Sequence, residues 1–582
     1  MSTKTNIGTG AAEGVRAEIG SETLSPYSPV RPLGPIDLFL DANEGTASGV
    51  DIGATLARIG AEAARRYPNA AGLEAAIARL LGLPARGVLM TAGGDEAIDR
   101  ACRAFLGPGN ELILPVPTFE MIGRYARLAG AEVVGVPWSS GPFPIDEVLG
   151  RLNVRTTMIA VVSPNNPTGA VARPSDLTRL SKAAPSALLL VDLAYTEYAD
   201  EDLTQAALSL PNAVIIRTFS KAYGLAGMRV GYAAGGERVV HAMRAAGSPY
   251  PVTGLSLAVA EEALAGAPAR LPRRVARVRD ERDRLRELLC ELGARPVESQ
   301  ANFVLAEFRD AEWVWRALAG LGIGVRRFAE GLGLERSLRI TCPGDDVGFV
   351  RLCHGLKAAM RPRALLLDMD GVIADVSRSY RRAIAMTADS FGVSVSPEAI
   401  GAAKADGNAN NDWVLTHRLV TRAGVAATLE EVTARFELVY QGTVETPGLE
   451  VAESLIPEPV LLWRLAGRIR LGIVTGRPRR DCERFLRRFG LDKFFKAVVC
   501  MEDAPRKPDP APIRLALQHL GTQSAWMIGD TPDDIVAARA AGVVPIGIAA
   551  PGDDRSGTGT TLEWAGAARI LNRLSELEEL VP

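Results

Sequence analysis

Two short stretches hold residues whose types and spacing suit chemistry. In RTFSKAYGLAGMR (217–229), Ser220 precedes Lys221, Gly224 and Gly227 follow, and Arg229 closes the run. A hydroxyl, an amine and a guanidinium around one small-residue helix start can hold a phosphate beside a Schiff-base amine. A lysine in that place could equally be a surface charge. In LLLDMDGVIAD (365–375), three leucines lead into Asp368, Asp370 and Asp375. Leucine runs favour a buried strand and carboxylates shun one, so acids crowded at a strand end ask for a cation, unless they form a solvated loop.

The elements that must position these residues alternate. From about residue 26 to 360, the apolar runs GVLMTA, ELILPV, MIAVVSP, ALLLVD and AVIIRT are separated by Ala/Leu/Arg-rich helical stretches. That alternation predicts a largely parallel sheet covered by helices. It restarts at ALLLDMD (364–370) and continues through LGIVTGR (471–477), KAVVCME (496–502) and AWMIGD (525–530). Polar residues at each strand end place the chemistry at the strands' carboxyl ends. The segment 354–364 is a short join. The expected organisation is a mobile tail at 1–25, one α/β unit at 26–360 and a second at 361–582, the latter with an insert at about 377–460.

Bulk properties narrow the classes. The 582 residues exceed what one core serves. A formal charge of −2 gives no basic excess for nucleic acid. Six scattered cysteines without a CxxC pair suit reduced thiols in a cytoplasm. Four histidines in no cluster leave Lys, Asp and Tyr to carry catalysis. No apolar run is long enough for a membrane span, and the first twenty residues lack a signal-peptide core.

Residues 26–350 carry, in order, LDANEG (40–45), RYPN (66–69), GGDEAID (93–99), PTFEM (117–121), SPNNPTG (163–169), VDLAYTEY (191–198), SKAYGLAGMRVGY (220–232), ANFVL (301–305) and LRIT (338–341). This series resembles the fold-type I pyridoxal-phosphate (PLP) aminotransferases, and among them histidinol-phosphate aminotransferase. The resemblance implies a large α/β domain plus a small domain, and PLP on Lys221. Asp192 would keep the pyridine nitrogen protonated. Tyr195 and Asn166 would bond the ring hydroxyl, and Phe119, where the family usually has tyrosine, would stack on the ring. Gly94, Asp95, Ser220 and Arg229 would cradle the cofactor phosphate. Tyr67 would reach the phosphate of a neighbouring subunit, which implies a homodimer. Tyr27, Asn43, Arg326 and Arg339 would meet the substrate, the arginines as anion clamps. The chain departs from the family at NEGT, usually NENP, and at VDLAY, where Leu193 replaces glutamate.

Downstream, Asp368 and Asp370 are followed by Thr475 in TGR, Lys507 in RKPDP, and Asp530 and Asp534 in GDTPDD. That set resembles the haloacid dehalogenase (HAD) phosphatases, subfamily IA-like, across about 363–550. It implies a Rossmann-like domain with a helical cap. Asp368 would attack phosphorus, and Asp370 would serve as acid and base. Thr475 and Lys507 would hold the phosphoryl oxygens. Asp368, Asp370, Asp530 and Asp534 would serve Mg²⁺, with Asp533 open as a substitute for Asp534. In the cap, KADGNANNDW (404–413) offers Lys404, Asn408, Asn410, Asn411, Asp412 and Trp413 either to a polar substrate head or to a capped turn between helices.

Together the two resemblances imply a bifunctional enzyme: imidazole-acetol phosphate is transaminated with glutamate to histidinol phosphate, which is then dephosphorylated in histidine biosynthesis. Three alternatives stay open. They are another amino-phosphate in specialised metabolism, a phosphothreonine-type PLP decarboxylase, and a regulatory, non-catalytic HAD half.

Overall fold

The computed structural model describes residue 30 and residues 34–61, 65–331, 333–405 and 411–581, with backbone alone at 404 and 405. It forms two compact units, one built on Ser48–Ala267, the other on Val30–Ala47 with Pro268–Pro582.

The first unit holds a seven-stranded sheet. Its order is Val88–Thr91, Gly231–Gly235, Ala213–Thr218, Leu188–Asp192, Thr156–Val162, Glu111–Val116, Glu132–Pro137. The last five strands run parallel, and Gly231–Gly235 is antiparallel to both neighbours. Leu188–Asp192 is buried at every position, as a strand covered on both faces must be, which is why it reads as a continuous apolar run. Asp192, Val162 and Thr218 end adjacent parallel strands, so the loops after them meet along one edge.

The second unit holds two larger sheets. One is five-stranded, ordered Leu38–Leu40, Ile323–Arg327, Ser337–Thr341, Phe303–Glu307, Arg295–Pro296. The other is six-stranded and all parallel: Phe495–Val499, Arg470–Val474, Ala364–Leu367, Ala525–Gly529, Val544–Ile548, Arg569–Leu571. Leu365 and Leu366 are 0% exposed at its centre. Each such leucine stabilises the fold by roughly 1.5–3 kcal/mol relative to an exposed one. A two-stranded ribbon, Ala374–Asp375 against Ser454–Leu455, marks where the chain leaves and re-enters this half. Between its strands lie the helices Tyr380–Ser390, Pro397–Ala405, Asp412–Arg422 and Leu429–Gln441, the helical cap. Among the described residues no helix is long and apolar enough to cross a membrane.

Candidate active sites

In the first unit most of the predicted residues lie at or just after the ends of five strands, Val88–Thr91, Glu111–Val116, Thr156–Val162, Leu188–Asp192 and Ala213–Thr218. Asp192 is 5% exposed, and its Oδ1 accepts the Ala194 N–H at 3.0 Å. Burial pushes its carboxyl up to about 7, with Asp95 adding to the rise and Lys221 opposing it. A buried carboxylate so short of positive charge suits a protonated ring nitrogen. The Lys221 amine lies 5.8 Å from the centroid of the buried Tyr195 ring. The helix expected after Lys221 is absent: Gly224 turns the chain at φ +65° and a single 3₁₀ turn, Ala226–Met228, leads straight into Gly231–Gly235.

Ser220 and Arg229 lie where an anion could be held. The Ser220 N–H donates to Thr218 Oγ1 at 3.1 Å. Arg229, in the left-handed region at φ +51°, places Nη2 3.0 Å from Asp95 Oδ2 at the start of helix Gly93–Phe105. Gly93 permits this, because a Cβ there would sit 2.6 Å from Arg229 Nη2. A helix N-terminus, whose first-turn N–H groups have no partner within the helix, roofed by a guanidinium and opened by glycines, fits a phosphate. Phe119 and Asn166 are half-buried. Their loops are stapled by Asn165, which is fully buried, accepts from Thr118 Oγ1 at 2.6 Å and donates to the Pro117 carbonyl at 2.9 Å. Sequence reasoning passed over Asn165 because its partners lie 47 and 48 residues away. Tyr67 is 81% exposed and stacks on Tyr250, centroids 4.7 Å apart. Leu193, the departure from glutamate, is wholly buried in the hydrophobic core.

In the second unit Asn43, Arg326 and Arg339 lie on the five-stranded sheet or beside it. Arg326 stands directly opposite Arg339 across an antiparallel pair. Arg339 is 7% exposed, donates to the Asp41 carbonyl at 2.6 Å and lies over the Phe303 ring at 5.3 Å. Asn43 is buried in the left-handed region at φ +56°. Thr341 Oγ1 donates to its Oδ1 at 2.9 Å, and Asn302 Nδ2 donates to its carbonyl at 3.2 Å. Asn302 and Thr341 thus hold a left-handed conformation that is uncommon outside glycine, though asparagine adopts it more readily than most residues. Tyr27 lies outside the described residues.

The six-stranded sheet gathers the third set. Asp368 follows the central strand, and its N–H donates to the Ile528 carbonyl at 2.9 Å. Carboxylate oxygens of Asp368, Asp530 and Asp534 lie within 4.8 Å of one another; Asp534, not Asp533, completes this group. Lys507, 4% exposed, lies 2.9 Å from Asp368 Oδ1, bonds Asp534 Oδ1 and donates to the Val474 carbonyl at 3.1 Å. Burial pushes the Asp368 carboxyl up to about 7, with Asp534 and Asp370 adding to the rise and Lys507 opposing it. Burial alone would lower the Lys507 amine, but Asp368 and Asp534 together raise it. Two glycines make the room: a Cβ on Gly371 would come 2.3 Å from Asp530 Oδ2, and one on Gly529 2.2 Å from Asp534 Cβ. Three hard oxygen donors packed this closely fit a divalent cation such as Mg²⁺.

Asp368 and Asp370 line a cavity with Asn411, Asp412, Trp413 and Arg477. Asn411 also caps the helix Asp412–Arg422, accepting the Trp413 N–H at 3.0 Å, so Asp412 and Trp413 are first-turn helix residues. The described structure omits Asn408, Asn410 and the side chain of Lys404. Thr475 is buried and accepts the Arg477 N–H at 3.1 Å. Asp375 lies on the ribbon and accepts the Ser377 N–H at 2.9 Å. Arg477, quoted in TGR but given no role there, forms an ion pair with Asp370 at 2.5 Å.

Known proteins place both halves. Residues 60–356 match the family of class I and II aminotransferases, and residues 362–542 match the haloacid dehalogenase-like hydrolases. A histidinol-phosphate aminotransferase of Paracoccus denitrificans (strain Pd 1222) is 36% identical over 344 residues, 57% of this chain and 88% of that protein. An imidazoleglycerol-phosphate dehydratase of Phytophthora nicotianae is 48% identical over 237 residues, 38% of this chain; the chain spans about half (52%) of that relative's length. The crystal structure of a histidinol-phosphate aminotransferase from Sinorhizobium meliloti with pyridoxal-5'-phosphate shares the fold over 56% of this chain and 92% of its own, with a TM-score of 0.51 and 23% identity. The chain belongs to the class I and II aminotransferases, a family that implies PLP, and carries a haloacid dehalogenase-like hydrolase on the same polypeptide.

Proposed function

We propose that residues 26–360 transaminate imidazole-acetol phosphate with glutamate and that residues 361–582 release phosphate from the resulting histidinol phosphate, two steps of histidine biosynthesis. The reading is carried by one observation: the same chain has two arginines facing each other for an anion and a lysine–carboxylate cluster suited to phosphoryl transfer. Two relatives named for imidazole-bearing phosphate esters support it. The departure at Leu193 does not argue for another substrate, because that side chain is sealed in the core.

In the first half, PLP when bound supplies an electron sink for the substrate's α-carbon. Lys221 would carry the cofactor and move the proton at that carbon. Asp192 would hold a proton on the ring nitrogen, Tyr195 and Asn166 would bond the ring hydroxyl, and Phe119 would stack on the ring. Gly94, Asp95, Ser220 and Arg229 would hold its phosphate. Arg326, Arg339, Asn43 and Tyr27 would orient the substrate. Tyr67 would act in the neighbouring copy of a cytoplasmic homodimer.

In the second half, Mg²⁺ held by Asp368, Asp530 and Asp534, beside Asp370, would offset the negative charge of the phosphate. An Asp368 carboxylate oxygen attacks phosphorus while the bond to the ester oxygen breaks, and Asp370 gives that oxygen its proton. Water then attacks the aspartyl phosphate, Asp370 takes back a proton, and inorganic phosphate leaves. Thr475 and Lys507 would hold the phosphoryl oxygens, with Asn411, Asp412 and Trp413 facing the rest of the substrate. Purified protein given imidazole-acetol phosphate, glutamate and Mg²⁺ should yield histidinol and phosphate, and release of neither would sink the reading. Asp368→Asn should stop phosphate release and spare transamination; a regulatory HAD half would leave phosphate release unaltered.

A further inference from the structure

We infer that Arg477 is a positioning residue that fixes Asp370 and ties it to the two points where the chain crosses into the helical cap. The inference rests on the phosphatase reading above. The Arg477 side chain is 1% exposed. Its Nε donates to Asp370 Oδ1 at 2.5 Å, and Nη2 lies 2.5 Å from the same oxygen. Its Nη1 donates to Glu453 Oε2 at 3.0 Å. The other Glu453 oxygen accepts from Ser379 Oγ at 2.9 Å and from the Tyr440 hydroxyl at 3.0 Å. The guanidinium also lies over the Tyr380 ring, 4.8 Å from its centroid.

The placement of these partners gives the network its meaning. Ser379 directly precedes the first cap helix, Tyr380–Ser390, and Glu453 directly precedes the ribbon strand Ser454–Leu455 on the way back. Both crossings therefore converge on one buried carboxylate, and Arg477 joins that carboxylate to Asp370. The Nε–H donor and the neighbouring Nη2 charge hold Oδ1 of Asp370 in place. They leave Oδ2 as the oxygen that exchanges a proton with the leaving group. Proton transfer depends steeply on such geometry, so the seating of the cap and the aim of the acid become one property.

The test separates this role from a general structural one by leaving group. An alkyl alkoxide needs a proton to depart, whereas p-nitrophenolate departs without one. Phosphate release by the full-length protein with Mg²⁺ is measured on histidinol phosphate, an alkyl phosphomonoester, and on p-nitrophenyl phosphate. Arg477→Met should lower kcat on the alkyl ester about a hundredfold or more, with KM little changed, and on p-nitrophenyl phosphate less than about tenfold. Glu453→Gln, which keeps the shape of the site, should show the same selectivity with a smaller loss. Arg477→Lys should recover part of the alkyl-ester rate. Equal losses on the two esters in both Arg477→Met and Glu453→Gln would overturn the inference. If the unaltered protein releases phosphate from neither ester, the phosphatase reading itself fails, a result distinct from equal losses.

Discussion

Arg326 and Arg339 stand directly opposite each other on adjacent antiparallel strands, with their side chains on one face of the sheet. Like charges in that position oppose strand pairing, and an anion bound between them would relieve the conflict. Arg326→Gln should therefore raise KM for a phosphorylated keto substrate about ten- to hundredfold, the worth of one or two charge-assisted hydrogen bonds. Turnover at saturation should change less. Steady-state kinetics check this, and an unchanged KM would remove Arg326 from the substrate site.

Trp313 and Trp526 meet edge to face, centroids 4.8 Å apart, and join the five-stranded sheet's helix layer to the six-stranded sheet. Their indole N–H groups donate to the consecutive carbonyls of Ala359 and Ala358 at 2.9 and 2.8 Å. Trp526 is 0% exposed. Trp526→Ala should cost about 3–5 kcal/mol. Denaturant unfolding followed by fluorescence should show the loss, and a variant within 1 kcal/mol of the parent would contradict this packing account.

Much of this was legible in the sequence, and the exceptions share a cause. Lys221, Asp192 and Asp368 stand out because each is polar and follows a run that only a buried strand explains. Arg477, Asn165 and Asn302 do not, because a buried polar residue is defined by its partner. Those partners lie 107, 47 and 259 residues away. The strand order of the six-stranded sheet, with Ala364–Leu367 at its centre, is equally hidden. Apolar runs announce strands but not which of them pair. The missing helix after Lys221 shows the limit of local patterns, since glycine and small residues serve a turn as readily as a helix start.

Asp192 predicts a pH dependence of the apoprotein's stability. Its folded value, about 7, lies above the unfolded value of 3.8, so the folded state holds the proton between them. The contribution is fully present below about pH 4 and is lost as pH rises through about 7, a change of about 4 kcal/mol. Asp192→Asn should flatten that slope and stabilise the apoprotein at pH 8, while lowering transamination at least about a hundredfold. Urea unfolding of both apoproteins at pH 5 and pH 8 measures the slope. An equal slope in the two would refute the assignment.

Lys507 bridges Asp368 and Asp534, and all three are nearly sealed from solvent. Removing the ammonium leaves two buried carboxylates facing each other and Asp530. Breaking a buried ion pair of this kind costs about 3–5 kcal/mol. Lys507→Met should therefore lower stability by that order in the presence of a chelator and abolish phosphate release. A divalent cation would then have more repulsion to relieve, so Mg²⁺ should raise the melting temperature of Lys507→Met by more than that of the parent. Thermal unfolding of both proteins with Mg²⁺ and with chelator decides the point. An Mg²⁺ shift no larger in Lys507→Met than in the parent would mean that these carboxylates do not share a cation.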